Sequence, residues 1–239
     1  MFDRDSLTRK MRALGIELSD RQAGQFETYY EMMIEKNKVM NLTAITDPEE
    51  VIEKHFVDSL AMAAYTDLTK IGSCIDVGTG GGFPGVPLKI VYPHLQMTLM
   101  DSLNKRLVFL EDVIRELGLS DTVTCHARAE DLGHQKTYRE HYDLCTSRAV
   151  ANLSTLSEYC LPLVRQGGSF ISYKAGQAEA EIEGAREAVR ILGGRIDHIY
   201  SYQIPGTDYD RTLIEIRKIK GTPGKYPRKA GTPSREPLK

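Results

Sequence analysis

Residues 73–82, SCIDVGTGGG, carry a five-residue apolar segment straight into a glycine-dense turn. So short an apolar run suits a strand buried on both faces. Glycines at its end let the backbone turn tightly and come close to a ligand. In open α/β sheets, ligands lie beyond the carboxyl ends of the strands. The segment therefore predicts a strand leading into a ligand crevice; a plain tight turn is the competing reading.

Four further runs read as strands: LQMTLMD (95–101), VTCHA (123–127), YDLCTSR (142–148) and GSFISYK (168–174). Helical patterns separate most of them. In 104–117, Leu107, Leu110, Val113, Ile114 and Leu117 share one face and Gly118 supplies the stop. AEAEIEGAREAVRIL (178–192) is a second amphipathic helix. Alternation of this kind implies a parallel sheet covered on both faces. GRIDHIYSYQIP (194–205) and TLIEIRKI (212–219) then follow each other with no helix between, which favours an antiparallel hairpin. The expected fold class is α/β and Rossmann-like: a mostly parallel seven-stranded sheet ending in an antiparallel hairpin, the plan of class I methyltransferases.

Residues 1–69 read as an N-terminal helical region packed on the core. Phe26, Tyr29, Tyr30, Met33 and Ile34 recur at helical spacing, and Asp47-Pro48-Glu49-Glu50 opens a further helix with an Asp cap and Pro at its first position. That helix carries Val51, Ile52, His55, Phe56, Ser59 and Leu60 along one side. Residues 70–220 form the expected core and 221–239 a basic tail rich in Pro and Gly.

With 239 residues, 41% of them hydrophobic, the chain can bury one sizeable core. Its net charge of −2 means that a nucleic-acid partner must be met by a local basic patch. The start, MFDRDSLTRK, lacks an apolar leader, and no apolar run reaches the length of a membrane span. A soluble, cytoplasmic protein is expected. Cys74, Cys125 and Cys145 each lie in an apolar run and read as buried thiols, and no Cys/His cluster has metal spacing.

The glycine turn fits two registers. Gly80, Gly82 and Gly85 match G-x-G-x-x-G, the dinucleotide pattern; Asp76, Gly78, Gly80 and Gly82 match D-x-G-x-G-x-G, the nucleoside-methyl-donor pattern. Asp101, at the second strand end, can accept from ribose hydroxyls in either case. Arg128-Ala129-Glu130-Asp131, after the third strand, places an acid and backbone N–H groups where the adenine of a methyl donor would lie. Phe83-Pro84 puts a ring where a pyrophosphate would need a helix N-terminus. Both features favour the register from Asp76 and S-adenosylmethionine. An NAD(P)-dependent oxidoreductase using Gly80, Gly82, Gly85 and Asp101 is the second reading, and a non-catalytic nucleoside- or RNA-binding module the third.

DVGTGGGFPGVPLKI, MDSLNKRLVFLE, SRAVANL and YPRKAGTP, with NKVMNLTAI (37–45) and HFVDSL (55–60), resemble the RNA small-subunit methyltransferase G family. These are the bacterial 16S ribosomal RNA guanine-N7 methyltransferases, also called the glucose-inhibited division protein B family. The resemblance runs from about Asn37 to the C-terminus. It implies methyl transfer from S-adenosylmethionine to N7 of one guanosine, guanosine 527, leaving S-adenosylhomocysteine. It implies a substrate that is 16S RNA or a small-subunit particle; no metal and a monomeric protein are expected beside it. Carried over by motif, the cofactor positions are Gly78, Phe83, Ala129, Glu130 and Arg148, with Asp101 as the ribose acid. Asp76 and Gly80 join them through the register, and Ser102 through its place beside Asp101.

Guanine N7 has a lone pair and no proton, so its methylation needs alignment and a base pocket rather than an obligatory general base. Arg148 and Asn152 in SRAVANL are candidates for positioning the substrate, and His55 reads as a satisfied, partly buried histidine rather than a base. Lys174, at the fifth strand end, and Lys105 and Arg106, after Asp101, are candidate phosphate contacts. Lys225, Arg228 and Lys229 in the tail are further RNA-binding candidates.

Overall fold

The computed structural model describes residues 1–148 and 151–239; Ala149 and Val150, in the middle of SRAVANL, lie outside the described residues. The strands are β1 (Ser73–Val77), β2 (Gln96–Asp101), β3 (Thr122–His126), β4 (Tyr142–Ser147), β5 (Val164–Ala175), β6 (Gly194–Gln203) and β7 (Asp210–Lys218). They form one seven-stranded sheet in the order β3-β2-β1-β4-β5-β7-β6. Every pair from β3 to β5 is parallel, and β7 is antiparallel to both β5 and β6. The closing hairpin thus inserts its second strand beside β5, and its first strand becomes the sheet edge.

Because the pleat alternates, neighbouring residues of each central strand enter opposite layers. Cys74, Leu144 and Ile171 belong to one apolar cluster, with Leu88, Leu107, Leu110 and the N-terminal Phe26, Tyr29, Met33 and Phe56. Ile75, Cys145 and Phe170 belong to the other, with Leu153, Leu156, Ile182 and Val189. Residues of the first sixty-nine therefore share a core with the sheet. Cys74, Cys145 and Cys160 are buried free thiols; Cys125, on edge strand β3, is only half-buried.

Local signals set several helix limits. The helix Asn104–Leu117 stops at Gly118, which adopts the left-handed conformation, and Asp20–Met40 opens on a Ser19/Gln22 capping box. The helix opening at Asp47 accepts from the N–H groups of Glu49 and Glu50 as its cap requires, then widens into a π turn over Ile52–Val57. Its burial departs from a one-sided stripe: Val57 and the charged Asp58 are buried together with His55 and Phe56.

The strand register sets the functional edge. Val77 pairs with Met100, Asp101 with His126, and Asp76 with Thr146. The carboxyl ends of β1 to β4 are thereby level, and the segments beginning at Gly78, Ser102, Ala127 and Arg148 emerge side by side. Residues 221–239 also pack onto the core: Tyr226 and Pro233 are buried.

Candidate cofactor and substrate site

The glycine loop is built on Asp76. This residue is fully buried, and its Oδ2 accepts from the Thr79 hydroxyl at 2.7 Å and from Gly85 N–H at 2.9 Å. Its Oδ1 has no hydrogen-bond partner among the described residues. Burial raises its carboxyl to about 6, against the opposing pull of those two bonds. Asp76 shapes the loop from beneath.

Gly78, Gly80 and Gly82 all have left-handed φ, at 74°, 61° and 107°. This alternation belongs to the D-x-G-x-G-x-G register. Gly85 does not share it, yet a Cβ there would lie 2.4 Å from Leu99 Cδ2. So Gly85 is required by close helix–strand packing, which gives the G-x-G-x-x-G match a structural cause of its own. Gly82 is confined from the other layer, since a Cβ would lie 2.5 Å from the Tyr29 hydroxyl. That hydroxyl donates to the Gly81 carbonyl. The N-terminal helical region therefore holds the loop directly.

Asp101, 3% exposed, ties the loop to β2. Its Oδ2 accepts from Gly80 N–H at 2.9 Å and from Arg106 at 3.3 Å; its Oδ1 accepts from Leu103 N–H at 2.8 Å. A cavity of about 330 Å³ opens at the ends of β1 to β3, lined by Gly78, Met100, Ser102, Ala129, Glu130 and Tyr159 among others. A small cavity with the Glu130 carboxylate on its rim, and with Met100 and Ser102, the chain neighbours of Asp101, in its lining, suits an adenosine.

A larger cavity, about 720 Å³, lies on the other side of β1, at the ends of β4 and β5. Lys54, His55, Asp58, Arg148, Lys174 and Arg211 are among its lining residues. Arg148 is its centre. It donates to the Lys54 carbonyl at 2.9 Å, to Asp58 Oδ2 at 3.1 Å and to His55 Nδ1 at 3.1 Å. Asp58, 3% exposed, also holds Arg211 at 3.2 Å and the Tyr202 hydroxyl at 2.9 Å. Two guanidinium groups on one buried carboxylate leave a net positive lining, which suits a polyanion.

Phe83 is part of the buried core. Its ring is 7% exposed, stacks on His55 at 4.5 Å and lies beneath the Arg148 guanidinium at 5.1 Å. The aromatic cluster continues through Tyr29 and Phe56.

The remaining sequence candidates are distributed as follows. Lys174 reaches the large cavity, held by the Ala151 carbonyl at 2.7 Å and Glu181 at 2.6 Å. Asn152 caps the helix Leu153–Cys160, accepting from Thr155 N–H. Ser102 and Lys105 are exposed beyond β2. Lys225 and Lys229 are exposed on the C-terminal segment, whereas Arg228 folds inward onto Glu158, which is fully buried. Arg228 thus differs from Lys225 and Lys229 in being ion-paired to a buried acid.

Sequence reasoning missed Lys54, Asp58, Tyr173 and Arg211. Asp58 left one trace, an acid three residues beyond His55 within an apolar stretch. Arg211 left none, because its place depends on β7 lying next to β5.

Residues 22–212 match the GidB family, described as rRNA small subunit methyltransferase G. The chain belongs to this family. It is 49% identical over 234 residues to the ribosomal RNA small subunit methyltransferase G of Bacillus subtilis, covering 98% of each chain. It is 50% identical over 224 residues to that of Listeria monocytogenes, covering 94% of each. Among solved structures, M. jannaschii TYW2 in complex with AdoMet shares the fold, with a TM-score of 0.51 and 14% identity over 62% of this chain and 69% of that one. The fold is that of the class I methyltransferases. Among the described residues no helix is long and apolar enough to cross a membrane, and no group of three or more His, Cys, Asp or Glu could hold a metal ion.

Proposed function

We propose that this family member transfers a methyl group from S-adenosylmethionine to N7 of guanosine 527 in 16S ribosomal RNA. It would do so in the cytoplasm, as a monomer, on RNA or an assembling small-subunit particle. One juxtaposition carries the reading: a ribose- and adenine-compatible cavity at the ends of β1 to β3 adjoins a cationic cavity at the ends of β4 and β5.

When bound, S-adenosylmethionine supplies a methyl group activated on a sulfonium sulfur. Asp101 would accept from the ribose hydroxyls, the Ala129 backbone and Glu130 would meet the adenine, and the Gly78 turn would admit the donor close to the chain. Arg148, Lys174 and Arg211 line the space for guanosine and its phosphates.

The chain need not remove a proton, because N7 carries none. The histidine in the cavity agrees with this. Burial, reinforced by Arg148, lowers His55 to about 3, which makes it a very weak base. Orientation is then the main task, and it can contribute roughly 7–11 kcal/mol to lowering a barrier. The deciding experiment incubates the protein with labelled S-adenosylmethionine and small-subunit RNA or particles and maps the product. Label on guanine N7 is expected; no N7-methylguanosine with any small-subunit substrate would refute the proposal.

A further inference from the structure

Residues 221–239 cross the outer side of the helices Ala129–Leu132 and Leu153–Cys160 as a strap. Arg139 donates to the carbonyls of Thr222 at 2.7 Å and Tyr226 at 2.9 Å. His134 Nε2 lies 2.7 Å from the Pro227 carbonyl. Arg228 gives its backbone N–H and its guanidinium to Glu158, at 2.7–3.1 Å. The Thr155 hydroxyl donates to the Pro233 carbonyl at 3.0 Å.

The next contact reaches the smaller cavity. Gly231 N–H donates to Glu130 Oε1 at 2.9 Å, and Glu130 is 8% exposed on the rim of that cavity. Gly231 has a φ of 81°, so the turn that aims this N–H depends on glycine. Tyr159 lines the same cavity. The carboxylate on this part of the cavity is therefore linked to the strap.

We infer that the C-terminal strap is a positioning element of the adenine subsite: Gly231 orients the Glu130 carboxylate for the exocyclic amine of the methyl donor. This rests on the proposed function, in which the smaller cavity takes adenosine. An ionised carboxylate offers about four acceptor positions, so the bond to Gly231 leaves others for an amine. Fixing the Glu130 rotamer beforehand removes an ordering cost from binding. The strap thus serves donor affinity, and Arg228 anchors it at Glu158.

The test uses the full chain with Gly231→Pro, which removes the N–H and cannot adopt a positive φ, and Gly231→Ala, which keeps the N–H but disfavours the turn. Calorimetry measures S-adenosylmethionine and adenosine; filter binding measures a 16S RNA fragment; thermal melts establish folding. A wild-type protein that binds neither nucleoside would refute the reading of the cavity itself. Given wild-type binding, Gly231→Pro is expected to raise Kd about tenfold for both ligands, the scale of a hydrogen bond to a charged group. RNA affinity should stay unchanged. Unchanged nucleoside Kd values would overturn the inference, and weakened RNA binding alone would make the strap an RNA contact instead. Should Gly231→Pro fail to fold, Gly231→Ala decides, since a Cβ there meets nothing within 4 Å: weaker adenosine binding supports the inference and unchanged binding overturns it.

Discussion

Arg148 Nη2 lies 3.1 Å from His55 Nδ1, and this contact sets the state of the histidine. A guanidinium has only donors, so Nδ1 must present its lone pair. The proton then resides on Nε2, which lies 2.8 Å from the Thr43 hydroxyl oxygen. His55 is neutral, in one tautomer, and stacked on Phe83. A histidine so engaged orients Arg148 and the loop beneath it.

Arg148→Lys is expected to be far from conservative. One planar fork serves the Lys54 carbonyl, Asp58 and His55 together, which a single ammonium cannot do. Turnover should fall about 100-fold, the effect of misplacing an orienting group. Single-turnover methylation with saturating donor measures it.

Stability should depend on pH through His55. Its value falls from 6.5 to about 3 on folding, so between those limits the unfolded chain binds more protons. The contribution is complete above about 6.5 and is lost as pH falls through the window toward about 3. The slope approaches about 1.4 kcal/mol per pH unit. Asp76, raised from 3.8 to about 6, has the opposite sign: its contribution is present below 3.8 and lost as pH rises through about 6. Urea titrations of wild type and His55→Gln should therefore diverge in slope between pH 4 and 6.5 by the histidine term alone.

Asp101→Ala should weaken donor binding by about 1.5–3 kcal/mol, the range for hydrogen bonds to a charged group. Part of the loss comes through the loop, because Gly80 N–H loses its acceptor. Calorimetry with S-adenosylmethionine checks this, and an unchanged Kd would place the ribose contact elsewhere.

Gly82→Ala and Gly80→Ala should differ in cost. Both positions have positive φ, but a Cβ at Gly82 meets Tyr29, Val86 and Leu110 within 3 Å, whereas at Gly80 the nearest atom is 3.9 Å away. Gly80→Ala should cost about 1 kcal/mol from backbone strain, and Gly82→Ala about 1–3 kcal/mol more from overpacking. Denaturant midpoints measure the difference.

Arg228→Ala should destabilise the fold by about 3–5 kcal/mol, because it leaves the buried Glu158 carboxylate uncompensated. Replacing the pair together, as Arg228→Met with Glu158→Leu, should recover much of that loss. Thermal melts of the single and double variants test it.

The sequence by itself determined the elements whose signals are local. The apolar run at 73–77 is β1 residue for residue, Gly118 ends its helix, and Asp47-Pro48 begins another. The alternation of strands and helices also carried the sheet type, since apolar periodicity is a property of a few neighbouring residues. Asp101 and Glu130 could be placed near one another because every parallel strand delivers its carboxyl end to the same edge.

Tertiary structure alone decided what depends on distant partners. The tail reads as basic and solvated until Glu158, seventy positions away, draws Arg228 inward. Asp58 carries no signal in the sequence beyond its place near His55, and only the fold brings Arg148, Tyr202 and Arg211 onto it. Phe83 reads as a ring set beside the ligand until Tyr29 and His55 pack against it. In each case the side chain's direction was set by the desolvation of a charge or an aromatic face, and that energy exists only once remote segments have packed together.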